Sequence, residues 1–188
     1  MNLPLIPRKD LFGNPNRAVV RLSPDGRHLS WITPKDGVMN VWVAPREDLA
    51  AARVITHDTL RGIRFYLWAY NSTHIVYIQD VGGDENWRVY SASLDGGAAL
   101  DLTPFEGVAA QIQHASEQFP DEILVGLNNR VPQLHDLYRV NLLTGERTLM
   151  EENPGFAQYI THDDFRLVGA LSMTPDGGIT VFLKTESG

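Results

Sequence analysis

The 188 residues carry 23 acidic and 16 basic side chains, a net charge of −7, with 43% hydrophobic and 21% charged residues. That balance is ordinary for a folded globular chain, and singly scattered Lys and Arg under an acidic surplus argue against nucleic acid as a partner, because phosphate binding needs clustered cations. The absence of cysteine removes thiol catalysis, zinc–thiolate sites and disulfides, and no stretch reaches the ~18 apolar residues of a membrane-spanning helix.

Residues 1–17 are rich in Pro and Asn and read as an irregular lead-in. They lack the basic region followed by an apolar core that marks a signal peptide, and composition leaves both cytoplasm and periplasm open. From residue 18 a strand pattern returns about every 46 residues. Segments 28–32, 74–78, 122–126 and 166–170 align, with Leu29, Ile75, Ile123 and Leu167 separated by 46, 48 and 44 positions. A following strand at 41–43, 89–91, 137–139 and 181–183 has first-residue spacings of 48, 48 and 44. Ile55, Leu102 and Met150, in short outer strands, are 47 and 48 apart.

A first strand precedes these at 18–22, 63–68 and 157–160. It is followed by turns at 23–26, 70–73 and 162–164; Pro24 presets φ and Gly26 accepts φ > 0 in the first. The middle strands are joined by polar loops at 35–37, 82–86, 128–133 and 175–178. Asp95-Gly96-Gly97 and Thr144-Gly145-Glu146 carry hairpin chemistry further along.

Short strands at this period are the signature of propeller blades. The expected fold is therefore all-β: a partial β-propeller of about four blades, each of four antiparallel strands, with blades at about 18–57, 62–104, 108–151 and 156–188. The last blade has only three strands before residue 188. The reading favours a chain cut from a longer one over a lead-in that supplies the missing strand, since 1–17 lacks strand alternation.

Chemistry-bearing residues are sparse. No Ser lies in Gly-x-Ser-x-Gly, and no Walker loop, dinucleotide glycine fingerprint or His-Glu-x-x-His occurs, so no catalytic residue is assigned. The six histidines show no converging metal-ligand spacing. His28 and His74 read as turn or surface residues, and His57, His114, His135 and His162 as isolated from one another; neither a metal nor a cofactor is expected. His135-Asp136 resembles an acid–base pair but aligns with Asn40 and Arg88 at the entry to each third strand, which makes it a blade-edge pair. Trp31, Trp42, Trp68, Trp87, Tyr77, Tyr90 and Tyr138 read as packing between blades. The best polar constellation is the loop 80–86, where Asp84, Glu85 and Asn86 are the candidate substrate contacts. The alternative is a solvated hairpin turned by Gly82 and Gly83.

Several segments taken together resemble the N-terminal propeller of bacterial prolyl oligopeptidase family (S9) serine peptidases. They are IPRKDLFGNP at 6–15, LSPDGR at 22–27, DENWRVY at 84–90, DLTPFEGV at 101–108 and LHDLYRVN at 134–141. The resemblance implies a propeller preceding an α/β-hydrolase domain that carries the catalytic residues, in a dipeptidyl or acylaminoacyl peptidase-like enzyme. The propeller would gate and line a cavity for short peptide substrates. Partners expected on this reading are that hydrolase domain and short peptides, with self-association through exposed blade edges, and a periplasmic or cytoplasmic location in a bacterium. The other reading is a free-standing TolB-like propeller acting as a protein-interaction scaffold.

Overall fold

The computed structural model describes residues 5–12 and 16–185. Fifteen strands follow a short helix, α1 (Arg8–Phe12). Blade 1 holds β1 (Ala18–Leu22), β2 (His28–Lys35), β3 (Val38–Pro45) and β4 (Arg53–Val54), with a 3-10 turn at Leu49–Ala51. Blade 2 holds β5 (Tyr66–Trp68), β6 (His74–Gln79), β7 (Arg88–Ser93) and β8 (Leu100–Asp101). Blade 3 holds β9 (Ala110–Ala115), β10 (Glu122–Val131), β11 (Leu134–Asn141) and β12 (Arg147–Glu151), and blade 4 holds β13 (Gln158–Thr161), β14 (Leu167–Met173) and β15 (Ile179–Leu183). Each sheet is an antiparallel meander in chain order; three have four strands and the last has three. This is a partial β-propeller, and no strand pairing joins the last sheet to the first among the described residues.

The blades stack because their central strands are apolar on both faces. In β6, Ile75 and Tyr77 enter a core shared with Ile32, Val41, Val43 and Ile55 of blade 1. The alternate residue Val76 enters the next core, with Ile123, Val125, Leu127 and Val140 of blade 3. In β10, Leu124 turns the other way, onto Tyr159, Phe165 and Ala170 of blade 4. A strand buried on both faces reads as a continuous apolar run, and each such side chain contributes about 1.5–3 kcal/mol on burial. Of the seven aromatics read as packing, Trp31, Trp68 and Tyr77 are buried and the other four are half-buried.

Polar staples between blades repeat at nearly the same spacing as the strands. Asp25 N donates to Ser72 Oγ (3.1 Å), Asn71 Nδ2 to Asp121 Oδ1 (2.8 Å), Gln113 Nε2 to Tyr159 O (2.7 Å) and Arg147 Nη1 to Leu102 O (2.9 Å). Within blades 1 and 2 one device recurs. Val41 N donates to buried Thr56 Oγ1 and Val89 N to buried Thr103 Oγ1, each at 2.9 Å.

The first inter-blade seam holds a buried cluster around Ser30. Trp68 Nε1 donates to Ser30 Oγ at 2.8 Å, Tyr66 OH lies 2.8 Å from the same oxygen, and Tyr66 OH donates to Val19 O at 2.6 Å. Val19 occupies a bulge in β1 with φ of 51°, a costly region for a β-branched residue. The tyrosine hydroxyl fixes that carbonyl.

Four details differ from the sequence reading. Part of the lead-in, Arg8–Phe12, is helical; residues 1–4 and 13–15 of the lead-in and 186–188 of the last blade lie outside the described residues. The first strand of blade 2 is Tyr66–Trp68, shorter than 63–68, because Ile63 N is bonded to Met39 O of blade 1 at 2.8 Å. Residues 110–115 form a first strand, β9, that the sequence reading left unassigned. The loop at 128–133 shrinks to Pro132-Gln133, as β10 continues to Val131 past a bulge.

Candidate functional site

The loop between β6 and β7 is built on Asp80. Its side chain is wholly buried beneath Arg61, whose Nε lies 3.3 Å from Oδ1, and its Oδ2 accepts from Glu85 N at 3.4 Å. Asp80 Oδ1 makes no hydrogen bond. The Arg61 guanidinium lies across Gly83. Gly83 also has φ of 92°, so the backbone favours glycine there, whereas the flexible Arg61 head could swing aside from a side chain.

The three candidate residues sit side by side at the tip and divide the work. Asp84 is exposed but tied into its own turn: its Oδ1 accepts from Val81 N (3.2 Å) and Asn86 N (3.1 Å), and its Oδ2 from Asn86 Nδ2 (3.2 Å). Desolvation pushes its carboxyl upward, but the hydrogen bonds from Asn86 and Val81 outweigh it and hold the pKa below the ordinary carboxylate value. Asn86 is committed to Asp84. Glu85 is exposed and holds φ of 58°, and its carboxylate makes no hydrogen bond or ion pair among the described residues. Glu85 is therefore the member of the trio free to meet an external cation or ammonium group. Beside the loop a cleft of about 420 Å³ is lined by Asp58, Arg61, Tyr77, Gln79, Asp80 and Tyr90, among others, with the two tyrosine rings stacked at 5.2 Å.

The sequence marks Asp80 only as the first residue of the loop 80–86, and it does not single out Arg61 or Asp58. Asp80 follows the apolar run of β6, a signal for a strand end, whereas Arg61 lies 19 residues upstream in the linker between blades with no local pattern to mark it.

His135 and Asp136 do not form an acid–base pair. Asp136 is buried and accepts from Arg130 Nε (2.9 Å), Arg130 Nη2 (2.8 Å) and Asn153 N (2.6 Å). Arg130 is the main cause of its depressed pKa. His135 packs on Gly126 instead, and burial lowers its pKa. Asn40, at the aligned position of blade 1, has the same role with a neutral amide. Its Oδ1 accepts from Thr56 Oγ1 and Asp58 N, both at 2.9 Å. The other histidines are dispersed: His28 lies tilted against Trp68 with ring centroids 6.2 Å apart, His114 meets Asp163 at 3.2 Å, and His162 meets Asp164 at 3.2 Å. Among the described residues no three His, Asp or Glu side chains converge as a metal site, and no helix is long and apolar enough to cross a membrane.

No protein-family model matches the chain. In sequence it is 47% identical over 185 residues to dipeptidyl aminopeptidase BIII of Pseudoxanthomonas mexicana, a match covering 98% of this chain and 27% of that protein. The chain thus spans about a quarter of the length of this curated relative. In structure it superposes on a prolyl endopeptidase with a TM-score of 0.63 and 13% identity, covering 92% of this chain and 27% of the other. It also superposes on the β-propeller domain of the trilobed protease from Pyrococcus furiosus, with a TM-score of 0.59 and 18% identity over 91% of this chain and 55% of that one. At those identities the structural matches speak for the fold; the sequence match speaks for kinship. The chain is a β-propeller segment, similar in sequence to part of a dipeptidyl aminopeptidase and in fold to the propellers of a prolyl endopeptidase and the trilobed protease.

Proposed function

We propose that this propeller segment gates and lines a cavity for short peptides, whose hydrolysis is done by an α/β-hydrolase domain of the same longer polypeptide. The observation that carries the reading is the 47% identity to a dipeptidyl aminopeptidase along nearly the whole of this chain. On this reading the segment is catalytically inert alone, and the hydrolase domain and short peptides are its partners. The loop tip is its substrate contact: Glu85 meets the ammonium of a peptide, while Asp84 and Asn86 hold the tip in shape. Asp80 and Arg61 anchor that tip to blade 2.

The test uses the complete polypeptide and a chromogenic dipeptide amide. Glu85→Gln removes one charge-assisted contact, worth about 1.5–3 kcal/mol, so KM is expected to rise by roughly ten-fold or more with kcat little changed, the pattern of lost uniform binding. An unchanged KM overturns the role of Glu85. A complete polypeptide that hydrolyses no peptide amide overturns the peptidase reading itself.

A further inference from the structure

The chain holds four Asp-Gly pairs, at 25–26, 36–37, 95–96 and 176–177, and the fold treats them differently. In an Asp-Gly pair the glycine amide nitrogen can attack the aspartate Cγ, helped by the missing side chain. The N–Cγ bond forms, the Cγ–OH bond of the protonated carboxyl breaks and water leaves, giving a five-membered succinimide. Water then opens the ring at either carbonyl. One route restores aspartate; the other yields isoaspartate, with the main chain running through the β-carboxyl. The reaction needs no other reagent, but it needs a free carboxyl, a free amide and backbone mobility.

At Asp25 the carboxylate accepts from Ser23 Oγ (2.6 Å) and Arg27 N (3.0 Å), while Gly26 N donates to Ser23 O at 2.9 Å. At Asp176 the carboxylate is held by Thr174 Oγ1 and by Gly178 N (3.4 Å), and Gly177 N donates to Thr174 O at 3.0 Å. Both pairs are locked on each reacting side. Asp95 has a free carboxylate, but Gly96 N donates to Ser93 O at 3.3 Å. Among the described residues, only Asp36-Gly37 leaves the carboxylate and the glycine amide both without a hydrogen bond. The pair is exposed, with φ of 52° and 85°, in the two-residue turn that joins Lys35 to Val38. An exposed hairpin tip opens without disturbing buried contacts.

We infer that Asp36 is the chain's site of spontaneous isomerisation to isoaspartate, selected by a turn that leaves both reacting groups free. The added main-chain methylene enters a turn whose two-residue length sets the β2–β3 register. It also displaces the carboxylate at a small cleft of about 130 Å³ shared with His57 and Asp58. This tip lies at the same end of its blade as the loop 80–86.

The folded protein is incubated at 37 °C and pH 6 and mapped by mass spectrometry with electron-transfer fragmentation, which separates isoaspartate from aspartate. Isoaspartate is expected to accumulate at residue 36 several-fold faster than at 95, with 25 and 176 slowest. The same chain held unfolded in urea should modify all four pairs at comparable rates, since their local sequence is alike. Asp36→Gly, which keeps the positive φ without strain, should abolish the species at that peptide. Equal rates at all four sites in the folded chain, or residue 25 or 176 leading, would overturn the inference.

Discussion

Replacing Asp136 by alanine tests whether the polar hub at the entry of β11 holds blade 4 to blade 3. The carboxylate is 2% exposed and takes two hydrogen bonds from Arg130 and one from the backbone of Asn153, in the linker to blade 4. Removing one partner of a buried ion pair costs about 3–5 kcal/mol. Arg130 is 40% exposed and has Glu152 3.9 Å away, so it regains water and a partner, which sets its share at the low end. The Asn153 N–H is buried and left unbonded, a penalty of about 1–3 kcal/mol that overlaps the first. The expected loss is about 3 kcal/mol for Asp136→Ala and about half that for Asp136→Asn, which keeps an acceptor for Asn153. Urea unfolding followed by tryptophan fluorescence reads the total, and hydrogen exchange should place the new opening at residues 152–161. The folded pKa of Asp136 is depressed, so its stabilisation is present above the unfolded value of ~3.9 and fades as pH falls through the lower folded value. The wild-type and Asp136→Ala curves should therefore converge only in acid. A loss below about 0.5 kcal/mol, the range of an ordinary surface change, or exchange unchanged at 152–161, refutes the hub.

Two further outcomes follow from buried polar groups. Tyr66→Phe removes the hydroxyl that links Ser30 to the carbonyl of strained Val19, and should cost about 1–2 kcal/mol; a stability equal to wild type in the same urea assay would show that the bulge does not depend on it. His74 and His135 are both held below the ordinary imidazole pKa by burial. The unfolded state therefore binds more protons, and stability should decline as pH falls below the unfolded value of ~6.5, levelling once the folded values are passed. The double variant His74→Gln, His135→Gln should flatten that decline between pH 7 and 5, and an unaltered slope would assign it to other groups.

The repeat was legible in the chain because each central strand has to be apolar on both faces. Ile75-Val76-Tyr77-Ile78 and Ile123-Leu124-Val125 stand out from polar turns, and their spacing is set by the blade itself. The shortfall of one strand in the last sheet could be counted the same way. The helical turn at Arg8–Phe12 and the extension of β10 to Val131 could not, since five residues and a bulge carry little periodicity. The loop 80–86 was visible as a cluster of acids and glycines, but not the distinction between an Asp84 consumed by its own turn and a free Glu85. Local composition determined that this protein is built of stacked four-stranded units. Which carboxylates are buried, paired or open was decided by blade stacking, because Arg61 with Asp80, Ser30 with Tyr66, and Asp136 with Asn153 meet only once segments distant in sequence are folded against each other.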